Sequence, residues 1–219
     1  MAATAYGIKS TIVMPKHAPL SKIAATKSYG AEVVLYGEVY DEAYEKARQI
    51  QKQSGAVFVH PFDDREIIAG QGTIGIEILE DVPDADIIVV PIGGGGLISG
   101  IVIAAKHMKP DIKIIGVQTK NLPSMARSLS QNHITTVEGP ATIADGIAVK
   151  TPGELTFKIV KKFVDDIVTV DEDEIANAIL LLLERAKVVS EGAGAASVAA
   201  ILNRLDIVRN KKIVALISG

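Results

Sequence analysis

The chain has 219 residues, 48% hydrophobic and 22% charged, with a formal net charge of −3. It can bury one large core or two smaller ones, and a mildly acidic balance with no basic block argues against nucleic acid as a partner. The absence of cysteine excludes disulfides, a thiolate nucleophile and cysteine metal sites. The opening residues lack the basic and long apolar regions of a signal peptide, so the cytoplasm is the expected compartment.

Strand and helix signals alternate from one end to the other. The chain opens in what reads as the last turn of a helix, closing at Gly7. A strand is expected at 10–14, a helix at 20–29 stopped by Gly30, and a strand at 31–35. A polar amphipathic helix over 40–53 ends at Gly55, and a strand follows at 56–59. Residues 65–81 read as mostly helix, interrupted at Gly70-Gln71-Gly72. An apolar strand over 87–92 leads into four glycines, then a helix, then a strand over 113–118. Short helices are expected at 122–129 and 153–164, the second with Pro152 near its start. After a strand at 167–170, Asp171 reads as an N-cap with Glu174 three residues on, close to a capping box. That helix runs to about residue 186. A small-residue helix spans 191–205, and a buried-type strand closes the chain at 212–217. This alternation predicts an α/β fold, doubly wound, with mostly parallel sheets covered by helices on both faces. A boundary near Pro61 divides it into residues 1–60, a small α/β piece, and 61–219, a larger sheet domain. Both ends read as cut, so the chain is expected to be part of a longer protein.

The most informative segment is Gly93-Gly94-Gly95-Gly96, followed by Leu97. Glycine can adopt positive φ and bring its backbone close to a ligand. Successive N–H groups then form one concavity, and the helix behind adds free N–H groups and the positive end of its dipole. Strand, glycine loop and helix together predict a phosphate site. Neither common nucleotide pattern fits. Counting from Gly93 or Gly94, the third position of a G-x-G-x-x-G is Ile98 or Ser99, and the next strand ends in uncharged Gln118. A P-loop requires a lysine after its glycines, where Leu97 and Ile98 stand. A smaller phosphate ester remains.

Nine segments, in order, resemble the threonine dehydratase branch of the type II pyridoxal-phosphate enzymes. They are Thr11-Ile12-Val13-Met14-Pro15, Ser28-Tyr29-Gly30-Ala31-Glu32-Val33, His60-Pro61-Phe62-Asp63-Asp64, Ile68-Ala69-Gly70-Gln71-Gly72-Thr73, Gly93 to Leu97, Ala144-Asp145-Gly146, Val164-Asp165-Asp166-Ile167, Glu191-Gly192-Ala193-Gly194, and Ser218-Gly219. The resemblance implies a two-domain fold of that family, truncated at its N-terminus. It implies pyridoxal 5'-phosphate as cofactor, its phosphate on Gly93, Gly94, Gly95, Gly96 and the Leu97 amide. Ser218 would hydrogen-bond the pyridine nitrogen, Gly146 would pass close to the ring, and Glu191 would stand at the ring edge or serve as a helix N-cap carboxylate. A hydroxyl at Ser218 need not keep the nitrogen protonated, which makes a weaker electron sink, adequate for expelling a β-hydroxyl. Asp145 reads as a loop hydrogen-bonder rather than an acid catalyst. Phe62 either accommodates the threonine methyl group or packs a cleft.

The family's Schiff-base lysine lies in an S-F-K-x-R-G segment and its clamping asparagine in S-x-G-N-H. Neither motif occurs here, and no catalytic residue is assigned. Lys158, in Thr156-Phe157-Lys158-Ile159, reads as an exposed helix lysine. Related racemases carry a Glu and, six residues on, an Asp, where this chain has Gln118 and Ser124. No metal is expected, and His17, His60, His107 and His133 make no ligand pair. The implied reaction is conversion of L-threonine, and of L-serine, to 2-oxobutanoate or pyruvate and ammonia, by a cytoplasmic homodimer or homotetramer acting on a small amino acid, without nucleic acid or membrane. A serine racemase or serine dehydratase on the same scaffold, or a non-catalytic fragment, is the alternative. The 219-residue chain alone is expected not to turn over threonine.

Overall fold

The computed structural model describes residues 1–38, 40–203 and 210–219. It divides into two compact units, Met1–Val59 and His60–Gly219. Among the described residues, no helix is long and apolar enough to cross a membrane.

In the first unit, α1 (Ala2–Ala5) precedes β1 (Thr11–Met14), α2 (Leu20–Ser28), β2 (Glu32–Leu35) and α3 (Tyr40–Ser54). β1 and β2 pair in parallel, Thr11 opposite Glu32 and Met14 opposite Leu35, with α2 as the crossover. Gly30, at φ 84°, turns the chain out of α2, a conformation that a Cβ disfavours. Glu38 binds Lys16 and His17. The hydrogen bond from Lys16 is the main reason that its carboxyl is held below the ordinary range.

The strand expected at 56–59 does not form. Val57 is 88% exposed and Val59 65% exposed, and no described strand pairs with them. β-branched residues supply propensity, but a strand exists only through its ladder, and the local sequence cannot provide a neighbour.

The second unit contains α4 (Arg65–Asp81), β3 (Ile87–Pro91), α5 (Gly96–Met108), β4 (Lys113–Thr119), α6 (Ser124–Gln131), α7 (Glu154–Phe163), β5 (Asp166–Val170), α8 (Glu172–Leu181), a π-helical turn (Leu182–Ala186), α9 (Gly192–Asn203) and β6 (Ile213–Ala215). The residues 204–205 expected to end the last helix lie outside the described residues. The sheet order is β5-β4-β3-β6, all parallel. From β3 the chain builds outward through β4 to β5, then returns to place β6 on the other side of β3. The order therefore reverses between β3 and β6, and open α/β sheets bind ligands outside the carboxyl ends of strands at such a point.

Alternation along the strands divides the core. Ile87, Val89, Ile115 and Val117 face one layer with Ile175 and Ala178 of α8 and the alanines of α9. Ile88, Val90 and Ile114 face the other, with Ile98, Ile101 and Val102 of α5, Leu79 of α4 and Phe157 and Val160 of α7. Both faces are covered, which explains why β3 is apolar at every position. α8 carries the capping box, the Asp171 carboxylate accepting from the Glu174 N–H at 3.0 Å and the Glu174 carboxylate from the Asp171 N–H at 2.8 Å.

The interruption expected at Gly70–Gly72 is absent, since α4 runs unbroken over 17 residues. Gly72 and Gly75 serve helix–helix approach. A Cβ on Gly72 would lie 3.3 Å from the Gly100 carbonyl oxygen, and one on Gly75 would lie 2.9 Å from that of Ile101. A Cβ on Gly100 would strike the Ile68 carbonyl and the Gly72 nitrogen, whereas one on Gly70 would meet nothing within 4 Å. Gly100→Ala should therefore destabilise the protein by about 1–3 kcal/mol through overpacking of backbone that cannot move aside. Gly70→Ala should stabilise it by roughly 0.5–1 kcal/mol through helix propensity. Urea unfolding of both variants measures the contrast, and equal effects would contradict this packing.

Asp86 ties β6 to β3. Its carboxylate accepts from the Lys212 N–H at 2.8 Å. That bond, with the Lys211 ammonium 3.6 Å away, holds its pKa below the ordinary carboxylate value. A depressed carboxyl stabilises the fold above its unfolded pKa of about 4, and the contribution is lost as pH falls through the lower folded value. The melting temperature of Asp86→Asn should therefore lie below that of the parent at pH 6, with the gap closing below about pH 4. A gap constant from pH 6 to pH 3 would show that Asp86 is not linked to folding in this way.

Candidate functional site

β3 is buried along its length and delivers the chain to Gly93 at the switch point. Gly95 is the N-cap of α5 and sits at φ 96°, in the left-handed region, where only glycine is at ease. The backbone N–H groups from Gly93 to Ile98 donate to no acceptor among the described residues. Gly94, Gly95, Gly96 and Ile98 are buried, and Gly93 and Leu97 are half-buried. Six successive donors thus lie largely out of water, at the positive end of a 13-residue helix. Such an arrangement suits an anion with several oxygens.

The loop is walled by close contacts with backbone and side chains. A Cβ on Gly93 would lie 3.2 Å from the Ile147 Cα, and one on Gly95 would lie 2.8 Å from Met125 Cε and 2.9 Å from Thr156 Cβ. The Cβ direction of Gly94 points into the Phe62 ring, and a Cβ on Gly96 would lie 2.9 Å from the Phe62 backbone. Phe62 is therefore seated on the glycine loop. Its ring stands edge-on to His60, centroids 4.7 Å apart, and His60 Nδ1 accepts from the Asp63 N–H at 2.9 Å. The carbonyl of Gly94 accepts from the Thr156 hydroxyl at 2.7 Å.

Gly146 lies in a 3₁₀ turn, Asp145–Ile147. A Cβ there would fall 2.9 Å from Ala193 Cβ and 3.1 Å from Glu191 Oε1. The same Glu191 oxygen would lie 3.5 Å from a Cβ on Gly219. The Gly219 carbonyl accepts from the Glu191 N–H at 3.1 Å and from the Ser190 hydroxyl at 2.8 Å. Glu191 also opens α9, its carbonyl accepting from the Ala195 N–H at 3.0 Å. Ser218 is exposed and follows β6, the strand beside β3. The structure thus brings Gly93–Leu97, Gly146, Glu191 and Ser218-Gly219 to one end of the sheet. Phe62 touches the loop from the side of its Cβ directions. Lys158 is exposed on α7.

Gln118 and Ser124 are fully buried and hold the surroundings together. Gln118 Oε1 accepts from the Ala126 N–H at 2.9 Å, Gln118 Nε2 faces the Ile92 carbonyl at 3.4 Å, and the Ser124 hydroxyl donates to the Val149 carbonyl at 2.7 Å. His133 Nδ1 lies 2.9 Å from the Gln131 carbonyl. Among the described residues, no three His, Cys, Asp or Glu side chains gather as metal ligands would.

Two acidic residues that sequence reasoning missed shape the site. Asp63 accepts from the backbone N–H groups of Glu154, Leu155 and Thr156, each at 3.0 Å, so it caps α7 from about 90 residues away in sequence. Its neighbour Asp64 is the ordinary cap, accepting from the Glu66 N–H at 2.8 Å. Two adjacent carboxylates before one helix start are a surplus that could have flagged the first. Glu172 accepts from the Thr142 hydroxyl at 2.7 Å, the Ile143 N–H at 2.7 Å and Asn121 Nδ2 at 3.2 Å, and so fixes the segment leading to Gly146. No local signal marks Glu172, which reads as the first residue of a helix.

Comparison with known proteins places the chain among relatives of one family. An L-threonine ammonia-lyase of Thermotoga maritima is 61% identical over all 219 residues, and the chain spans 54% of that relative's length. The structure of maize serine racemase superposes with a TM-score of 0.94 at 37% identity, covering 100% of this chain and 68% of that one. A processed threonine deaminase isoform 2 from Solanum lycopersicum gives 0.93, also at 37%, covering 100% of this chain and 61% of that one. The family described as "Pyridoxal-phosphate dependent enzyme" matches residues 1–219. With its parallel α/β sheet and an unsatisfied glycine loop at the switch point, the chain belongs to the pyridoxal-phosphate dependent enzymes.

Proposed function

We propose that this chain is part of a threonine ammonia-lyase, a carbon–nitrogen lyase that converts L-threonine, and L-serine, to 2-oxobutanoate or pyruvate and ammonia. The observation that carries the reading is 61% identity, across the whole chain, to an L-threonine ammonia-lyase, with the phosphate-type loop intact. The cofactor fits the residues present. Six amides without a protein acceptor match the several oxygens of a phosphate monoester, which Gly93 to Gly96 and Leu97 would hold. Bound there, pyridoxal phosphate supplies the electron sink that lets an amino acid lose its α-proton and its β-hydroxyl.

The remaining roles are those the family resemblance implies. Ser218, beyond the carboxyl end of β6, offers a neutral hydroxyl to the ring nitrogen. Gly146, whose missing Cβ lets Ala193 and Glu191 approach, would pass close to the ring, and Glu191 would stand at the ring edge. Phe62 presents an apolar surface beside the loop, suited to the threonine methyl group. Residues 1–60 would be the remainder of the small α/β domain and 61–219 the cofactor-binding domain. The whole protein would be a cytoplasmic homodimer or homotetramer serving amino-acid catabolism or isoleucine biosynthesis.

The second reading is a serine racemase, supported by the maize structure's TM-score of 0.94. Gln118 and Ser124 weigh against it, because both are neutral and already engaged in hydrogen bonds. Full-length protein supplied with L-threonine should form 2-oxobutanoate and ammonia in equal amounts. D-serine from L-serine without ketoacid would overturn the lyase reading. Ser218→Ala should weaken catalysis by about 1–2 kcal/mol, the loss of one neutral hydrogen bond, and Ser218→Asp should lower the ratio of elimination to racemisation. An unchanged ratio would refute the role given to the hydroxyl.

A further inference from the structure

The geometry points to Asp63 as a positioning residue for the glycine loop, acting through α7 and Thr156 to aim an amide at the phosphate. The inference rests on the phosphate-cradle reading above. Asp63 uses both carboxylate oxygens, Oδ2 for the Glu154 N–H and Oδ1 for those of Leu155 and Thr156, each at 3.0 Å. Gly153, the formal N-cap, has no side chain to offer, and a Cβ there would collide with the Asp63 carboxylate. The first turn of α7 is therefore held from outside, by a residue adjacent to Phe62.

Thr156 transmits this. It is fully buried, its N–H is bound by Asp63, and its hydroxyl donates to the Gly94 carbonyl at 2.7 Å. The peptide joining Gly94 to Gly95 is planar and trans, so its C=O and N–H point in opposite directions. Fixing the Gly94 carbonyl on Thr156 turns the Gly95 N–H away from α7, into the row of six unpaired donors. Phe62 packs on Gly94 and Gly96 along their Cβ directions. One four-residue turn, His60 to Asp63, thus sets the loop both by contact and by a hydrogen-bonded relay. A carboxylate suits the task because it has two acceptor oxygens, where an amide has one.

The test compares pyridoxal 5'-phosphate with pyridoxal, which share ring and aldehyde, as ligands of the full-length protein. Affinities come from absorbance titration, and the bound phosphate is observed by phosphorus NMR. The parent should prefer the phosphorylated ligand. Asp63→Ala and Thr156→Val should each weaken pyridoxal 5'-phosphate roughly tenfold, shift its phosphorus resonance, and leave pyridoxal affinity unchanged. Thr156→Ser, which keeps the hydroxyl, should bind like the parent, and Asp63→Asn should fall between parent and Asp63→Ala. Because the two residues act in series, the double variant should lose no more than the larger single loss. If the parent does not distinguish the two ligands, the phosphate-cradle reading falls and this inference with it. If the parent distinguishes them and Asp63→Ala keeps the same preference, the cradle stands and the positioning role is refuted. Equal weakening of both ligands, or losses that multiply in the double variant, would refute it too. Should Asp63→Ala fail to fold, Asp63→Asn and Thr156→Val decide by the same ratio.

Discussion

Backbone donors without acceptors govern the larger unit. A buried N–H left unsatisfied costs about 1–3 kcal/mol, and the loop after β3 has six donors in succession without a protein acceptor among the described residues, four of them on buried residues. It cannot relieve them itself. Gly95 is held in the left-handed region, and Ile147, Phe62, Met125 and Thr156 close on the glycines from several directions. Packing therefore keeps these donors from turning toward protein acceptors, and an anion bound by them should stabilise the fold by mass action.

That constraint organises the neighbouring segments. The turn Asp145–Ile147 must lie beside Gly93, and Glu172 fixes the chain just before it. α5 must present its N-terminus at the end of β3, and its axis is set by close approach to α4 at Gly72, Gly75 and Gly100. Small residues in α9 let that helix lie against the opposite face of the sheet. Glycine and alanine thus carry much of the architecture, because backbone proximity rather than side-chain bulk is the requirement at each point.

What the sequence discloses follows the range of the forces involved. β3, α5 and β4 are legible because apolar runs and the glycine loop encode burial and turn locally. The capping box at Asp171 and Glu174 is equally local. Residues 56–59 mislead because strand formation depends on a neighbour the segment cannot specify. Gly72 misleads because helix propensity penalises glycine without knowing that α5 lies close by, and Gly70 is carried along in the unbroken helix. Asp63 and Glu172 stay hidden because their partners are distant in sequence. The assignments at Gly146, Glu191 and Ser218 came through family resemblance. Their proximity becomes physical only when the sheet order brings β6 beside β3.

The pairing of β6 with β3 also has a temporal meaning. Asp86 and Lys212, at the start of that pairing, are 126 residues apart, whereas β3 and β4 are joined by a single helix. Loop-closure entropy opposes such a distant contact, and topologies that rely on one fold slowly. Ser218 and Gly219 reach the glycine loop only when β6 docks. Pairing β4 with β3 is therefore the local step and docking β6 the non-local one, so the two sides of the site form through contacts of very different range.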